Sequence, residues 1–402
     1  MKSIPKTSKI VLIMILFVIC QSGCRPRYPR EYVSYKNALV PVHRCYPDFR
    51  DDMDIESLKG AIEQNLKYLN RLHPQTLFHY GADTFTCSEV KTAQKMFLDM
   101  LMQNPNQDQL NEYIRENFIV YRAIGQPETG KTLFTGYFEP VLQARLNRNR
   151  RFRYPVYKRP DDLINIDLSP FGKQFRGKHI IARIEGKKIT PYYSRSQIDT
   201  LHVLDGKNLE IAWLKNPVDR FFLHIQGSGK LLLSNSRILH IGYETSNGLS
   251  YRSIGRYMFK KGYLTRDELS MQGIRKYISM HPEAADKILN HNPSYVFFRI
   301  LPNGPLGNIN VPLTPGRSIA LDSKLFPKGA ICFISCQKPI IDSNNNIVKW
   351  KDFSRFVVNQ DTGGAIKGAG RADIFWGSGQ YARIVAGHLK HEGDLYVIMK
   401  KP

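Results

Sequence analysis

Two aspartates near the end of the chain, Asp361 and Asp373, have the types and setting for proton chemistry. Gly363, Gly364, Gly368 and Gly370 lie between them. Asp373 is followed by Ile374, Phe375 and Trp376, and an apolar setting raises a carboxyl pKa. A carboxylic acid that keeps its proton near neutrality can serve as a general acid. Asp361 follows Val357-Val358, which reads as a buried strand, and an aspartate at a strand-to-turn junction usually accepts from backbone N–H groups. Gly363-Gly364 reads as the turn, because glycine takes positive φ without strain. A plain turn role suits Asp361 better than catalysis; for Asp373 the two readings weigh the same on this stretch alone.

The elements that must position these residues are short strands. Ser318 to Asp322, Ala330 to Ser335, Ile347 to Lys351, Arg355 to Asn359, Ala372 to Trp376, Ala382 to Ala386 and Leu395 to Met399 read as strands at a spacing that argues a compact barrel. Asn344-Asn345-Asn346 is a hairpin turn. Upstream, Thr132 to Pro140, Tyr154 to Lys158, His179 to Glu185 and Phe221 to Gln226 read as strands, with His224 to Gly229 running into a turn. Gln226 and Ser228 could meet sugar hydroxyls, although a satisfied turn explains them as well. Three helices precede this part. Leu58, Ile62, Leu66 and Leu69 recur at helical spacing, Thr86 and Glu89 form a capping box, and Leu110, Ile114 and Phe118 follow Asn104-Pro105-Asn106. Ser194 is a candidate N-cap, and Ser253 and Ala284 mark further helix starts. Thr265 to Glu268 is another capping box. Pro302 to Pro305 is a hinge and a boundary candidate.

At 402 residues the chain has room for two or three domains. The formal net charge of +23 suits an acidic partner: nucleic acid, anionic lipid or an acidic wall polymer. The basic residues are scattered, and the run from Arg145 to Arg153 reads as a solvated loop. There is no zinc-finger spacing, RNP-like motif or P-loop, which argues against nucleic acid. Met1 to Lys9 carries three lysines and Ile10 to Ile19 is apolar, a secretory leader too short to span a bilayer comfortably. Ser22-Gly23-Cys24 follows and reads as a lipoprotein cleavage site with Cys24 acylated, although Gln21 stands where an aliphatic residue is usual. Cys45 and Cys87 could pair in an oxidising compartment. Cys332 and Cys336 share a strand face but lie about 13 Å apart, too far to bridge. No metal-binding spacing is present and no cofactor is called for.

Five separated motifs carry a family resemblance: Tyr137-Phe138-Glu139-Pro140, Gln226-Gly227-Ser228-Gly229, Tyr251-Arg252-Ser253-Ile254-Gly255, Asn292-Pro293-Ser294-Tyr295-Val296-Phe297-Phe298 and Asp361-Thr362-Gly363-Gly364-Ala365-Ile366-Lys367-Gly368. From Lys131 onward the chain resembles the membrane-bound lytic murein transglycosylase A family. The resemblance implies a mainly β fold with helices. A double-psi β-barrel domain would be formed by the N- and C-terminal parts, with a second, smaller β-barrel domain inserted. The expected division is 1–23 as lipoprotein signal, 24–137 as the helical part of the first domain, 138–301 as the insert and 302–402 as the barrel part. A glycan strand would lie between the two domains.

The resemblance further implies a peptidoglycan lytic exotransglycosylase, a lyase in the periplasm, lipid-anchored to the outer membrane. Its partners would be glycan strands, with cell-wall synthesis or division proteins compatible with it. Asp373 falls on the family's catalytic aspartate, and Asp361 and Asp322 on two others; the glycine loop carries one residue more than in some members. Asp361 is expected to hold the glycines, and Asp322 to bind sugar or tune Asp373. Tyr137, Phe138, Gln226, Ser228, Phe375 and Trp376 are the expected substrate-binding residues, with core packing an equal reading for Phe375 and Trp376. A hydrolytic glycosidase needs two carboxylates, whereas a lytic one can use one, since the sugar's 6-hydroxyl replaces water. Two alternatives stand beside this reading: a muramidase-type hydrolase using two of these aspartates, and a non-catalytic wall-binding lipoprotein.

Overall fold

Caps and apolar spacing decide the first part of the chain. In the computed structural model, which describes residues 33–44 and 46–402, Asp54 caps the helix Ile55–Leu69 by accepting from Ser57 N. Capping boxes of Thr86 with Glu89 and of Asn106 with Gln109 open Cys87–Met102 and Gln107–Asn117. Leu58, Ile62, Phe97 and Ile114 from these helices are buried in one cluster with Ile334, Phe356 and Val397 of the strands beyond residue 330. The leader, Cys24 and Cys45 lie outside the described residues. Cys87 is buried, with its thiol against the Leu69 carbonyl at 3.4 Å. Among the described residues no helix is long and apolar enough to cross a membrane.

The strands that hold the two aspartates close on themselves. Thr132–Tyr137 pairs parallel with Arg371–Phe375 and antiparallel with Lys390–Lys400. Lys390–Lys400 pairs with Ile331–Ile341, which pairs with Ile347–Asp361. Ile347–Asp361 runs parallel to Ser318–Ala320, and Ser318–Ala320 returns antiparallel to Arg371–Phe375. Six strands therefore form a closed barrel, which leaves no edge between them. Phe118–Ala123 and Leu39–Pro41 extend the sheet outside it.

After Tyr137 the chain leaves the barrel. Val141–Arg145, Tyr154–Tyr157, Glu210–Leu214, Ser228–Leu232, Ile238–Ser246 and Val296–Leu301 form a second sheet, and a bridge from Lys158 to Phe298 joins its two ends. Val156, Leu223, Leu231, Ile241 and Phe298 fill its core. Ile164–Asp167, His179–Glu185 and Lys188–Pro191 make a separate three-stranded sheet. The helices Ile254–Lys260, Met271–Met280 and Ala285–Asn290 pack into the same apolar cluster as the barrel.

Several expectations need correction. Phe221 to Gln226 belongs to a helix, Pro217–Gln226, started by Asn216 and Pro217 and stopped by Gly227 at φ +76°. Val218, Phe221 and Phe222 follow helical spacing there, and the start signal outweighs their β propensity. Ala382 to Ala386 lies in the helix Gln380–His388. The two strands expected at Ile347 and Arg355 are one, Ile347–Asp361. Its partner continues through Pro339, which is tolerated because the opposite neighbour, Lys390–Lys400, pairs only with Ile331 to Ser335. The hydrogen bonds of Thr265 with Glu268 form, but they close a turn; the helix starts at Met271 behind Ser270.

One buried cation ties the N-terminal segment to the barrel. Arg317, with no exposed surface, donates to Asp51 Oδ2 at 2.6 Å, Phe356 O at 2.7 Å, Asp54 O at 2.8 Å and Ser57 Oγ at 3.0 Å. Arg317→Met removes the partner of a carboxylate that is mostly shielded from water. The expected loss of stability is about 3–5 kcal/mol, read as an earlier midpoint in urea unfolding.

Candidate active site

Period-two alternation decides what Asp373 faces. Along Arg371–Phe375 and the residue after it, Ala372, Ile374 and Trp376 pack into the main core. Asp373 and Phe375 therefore share the other face of this strand. The cross-strand register continues the row. Asp373 lies opposite Thr135 on one side and Ala320 on the other, and Ala320 lies opposite Asp361. Two strand spacings of about 4.8 Å put the Cα atoms of the two aspartates roughly 10 Å apart. Ala320 between them is buried in a small cluster with Tyr137, Leu313, Ile366 and Phe375.

Asp373 is part-buried, and its Oδ1 accepts from Thr135 Oγ1 at 2.7 Å. Arg371 Nη2 donates to the same hydroxyl oxygen at 3.4 Å. No protein donor reaches the second oxygen of Asp373 among the described residues. Burial pushes its pKa from the usual 3.8 to about 6; the Thr135 bond and the Arg371 charge pull down against this, and the Asp361 charge pushes up. Asp361 is raised to about 6 as well, again chiefly by burial. Its oxygens are committed: Oδ2 accepts from Tyr137 OH at 2.9 Å, and Oδ1 from Asn308 N at 3.0 Å and Thr362 N at 2.9 Å. The Tyr137 hydroxyl is itself pushed well above its ordinary value by burial and by these carboxylates, so it acts as a donor.

Asp322 stands apart from this row. Its Oδ2 accepts from Gly368 N at 2.9 Å and its Oδ1 from Lys324 N at 3.1 Å. Asp322 therefore ties down Gly368 of the glycine loop, while Asp361 accepts from Thr362 at the start of the same loop. Burial is what raises the pKa of Asp373, with the Asp361 charge the smallest of the influences on it. Gly363 and Gly364 do not adopt positive φ; the left-handed residue of the loop is Gly368, at φ +86°.

The other expected residues divide. Tyr137 and Phe375 lie side by side, ring centroids 5.2 Å apart, in a small cluster with Leu313, Ala320 and Ile366 beside the aspartates. Trp376 faces the opposite side, where Phe353, Tyr381 and the Arg355 guanidinium surround it. Gln226 ends its helix and accepts the Phe138 backbone N–H at 2.9 Å. Phe138 and Ser228 are both buried, and Ser228 sits opposite Gly242 in its sheet. Two residues in the row were not anticipated, Thr135 and Arg371. Thr135 lies two before Tyr137 in one strand, so alternation alone would have placed it on the Tyr137 face.

The raised carboxyls bear on stability. A folded-state pKa above the unfolded value means that the folded chain holds a proton which the unfolded chain releases between about pH 4 and 6. The resulting stabilisation is complete below about pH 4 and is lost as the pH rises through about 6. Asp373→Asn, which cannot ionise, is expected to resist urea better than wild type at pH 7.5, by on the order of 1–3 kcal/mol. The two curves should converge near pH 4.

Comparison with known proteins places this arrangement. Residues 133–299 match the MltA specific insert domain and residues 317–399 match the 3D domain. The chain is 32% identical over 281 residues to the membrane-bound lytic murein transglycosylase A of Escherichia coli K12, spanning 69% of this chain and 68% of the relative. It is 29% identical over 307 residues to the protein of that name from Vibrio cholerae serotype O1, 73% of this chain and 74% of the relative. The crystal structure of the Agrobacterium tumefaciens membrane-bound lytic murein transglycosylase superposes with a TM-score of 0.71 at 30% identity, covering 86% of this chain and 93% of the other. Escherichia coli MltA with bound chitohexaose shares the fold at a TM-score of 0.66 and 24% identity, covering 93% and 98%. The fold is the double-psi barrel of these structures.

Proposed function

Since this chain belongs to the membrane-bound lytic murein transglycosylase A family, we propose a mechanism in which one aspartate acts twice. The enzyme is a murein lytic transglycosylase, a lyase acting on peptidoglycan. Its target is the β-1,4 bond from N-acetylmuramic acid to N-acetylglucosamine. Protonated Asp373 gives its proton to the glycosidic oxygen as the bond from that oxygen to C1 breaks. The Asp373 carboxylate then takes the proton of the muramyl C6 hydroxyl as its oxygen closes on C1, giving a 1,6-anhydro sugar. The second step is intramolecular, which lowers its entropic cost.

The observation that carries this reading is the asymmetry of the two carboxyls. Among the described residues Asp373 has a hydrogen-bond donor to only one oxygen, while both oxygens of Asp361 are already hydrogen-bonded. Asp361 is thus poorly suited to act as the nucleophile or base that a two-carboxylate hydrolase requires. Its role here is to hold the Tyr137 hydroxyl and the backbone of Asn308 and Thr362 in place beside Asp373. A seated glycan would exclude water from Asp373 and raise its pKa further. Thr135 orients the acid, Asp322 fixes the loop beside it, and Tyr137 holds Asp361.

The division we propose, 24–137 with 302–402 around an insert of 138–301, is supported by the strand pairings, since Thr132–Tyr137 pairs in the barrel and Val141–Arg145 in the second sheet. Substrate contacts are assigned to Tyr137 and Gln226, with Phe138, Ser228 and Phe375 supporting them from behind. Trp376 is left as packing. The relatives are named membrane-bound, and we place this chain in the periplasm, held to the outer membrane through acylated Cys24.

Mass spectrometry of sacculus digests tests the mechanism. Wild type is expected to release anhydromuropeptides, and Asp373→Asn to lose about 10²–10⁴-fold in rate. Reducing-end products would instead establish hydrolysis. The rate requires the protonated acid, so it should fall as the pH rises through about 6. Thr135→Val removes a bond that lowers this pKa, and should carry the falling limb of the profile to higher pH.

A further inference from the structure

The small three-stranded sheet carries an apolar face that the glycan reaction does not use. Two residues of His179–Glu185 point inward. Ile181 packs against the cluster of Tyr157, Tyr192 and Phe297, and the Arg183 guanidinium lies 3.9 Å from the Tyr193 ring centre. Alternation therefore turns Ile180 and Ile184 outward. The register sets Ile166 opposite Ile180, Ile164 opposite Ala182 and Ile189 opposite Ile184, so five isoleucines share this face around Ala182, which is itself buried. Ile180, Ile184 and Ile189 are 43%, 65% and 62% exposed, and Phe171, on the turn between the first two strands, is 70% exposed. A single exposed isoleucine needs no explanation, but an adjoining set marks a contact surface.

The charge around this face says what the contact is. Lys173, Arg176, Lys178, Lys187 and Lys188 are exposed and in no ion pair among the described residues. The acids close by are engaged: Glu185 with Arg183, Asp162 with Lys207, and Asp167 with the N–H and hydroxyl of Ser169. The partner must accept branched apolar side chains and carry negative charge at its rim. A glycan strand offers carboxylates but no apolar layer. A second copy of the sheet would set five unpaired cations against five. We propose that this face docks on an anionic lipid surface, with the isoleucines and Phe171 at the boundary of headgroups and acyl chains and the five bases among the phosphates. The contact depends neither on the lytic reading nor on acylation of Cys24, and with an anchor present it would fix the orientation of the insert over the bilayer.

Hydrogen exchange of the full chain tests this on vesicles of phosphatidylethanolamine with phosphatidylglycerol, and on vesicles of phosphatidylcholine alone. Amides of 164–191 are expected to exchange several-fold more slowly on the anionic vesicles only, and the protection should disappear at high salt. Ile180→Ser/Ile184→Ser/Ile189→Ser should lose the protection while digesting sacculi at the wild-type rate. Lys187→Glu/Lys188→Glu, in the hairpin turn and at the first residue of the strand after it, should do the same without altering the isoleucines. Equal exchange on both vesicles would overturn the proposal. So would protection that grows with protein concentration in the absence of lipid, which indicates a second copy, or protection on purified sacculi free of lipid, which indicates the glycan.

Discussion

Closure of the barrel by Thr132–Tyr137 is the constraint on which the rest depends. This strand fills the gap between Arg371–Phe375 and Lys390–Lys400, and each of those would otherwise present an unpaired edge. It also delivers Thr135 to Asp373 and Tyr137 to Asp361 in one stroke, because alternate residues share a face. Packing fixes its placement: a Cβ at Gly136 would lie 2.8 Å from the Trp376 ring. Trp376 thus contributes to the site from behind, by setting how closely the two strands approach.

The aspartate row trades stability for chemistry. Its carboxyls are held in a setting that resists ionisation, beside Ala320 and under Phe375, and the structure supplies fewer donors to Asp373 than to Asp361. Arg317 shows the opposite solution to charge burial. Four acceptors surround it, so its cost is offset and it serves as a fastener. The difference between a satisfied charge and an under-satisfied one separates scaffold from site in this molecule.

Much of this was legible from residue order. The apolar spacing from Leu58, the capping box of Thr86 with Glu89 and the break at Asn104-Pro105-Asn106 marked the helices, and the valines before Asp361 marked a buried strand. Asp373 stood out through its apolar neighbours. What was not legible lay in register and in competing signals. Ile384-Val385-Ala386 reads as a strand, yet it folds as part of a helix. Phe221-Phe222-Leu223 has the same ambiguity, resolved by Asn216-Pro217 before it. The hydrogen bond from Gly368 to Asp322 could not be read at all, since it depends on which backbone N–H groups a loop brings near. Trp376 and Asp373 were taken together because they are close in sequence, although an odd separation in a strand sends side chains to opposite faces.

The barrel strand before the insert has a consequence for how the chain is assembled. Thr135 and Asp373 are separated by the whole insert, so the pairing that completes the site closes a loop of 238 residues. Such closure adds little to the free-energy cost, which grows only logarithmically, but long-range pairing slows folding. During synthesis or export the Thr132–Tyr137 segment emerges early and must wait, its apolar Phe134 and Leu133 uncovered, until the last thirty or so residues arrive. A chain cut short before Arg371 would lack both neighbours of that strand, however well its insert had folded.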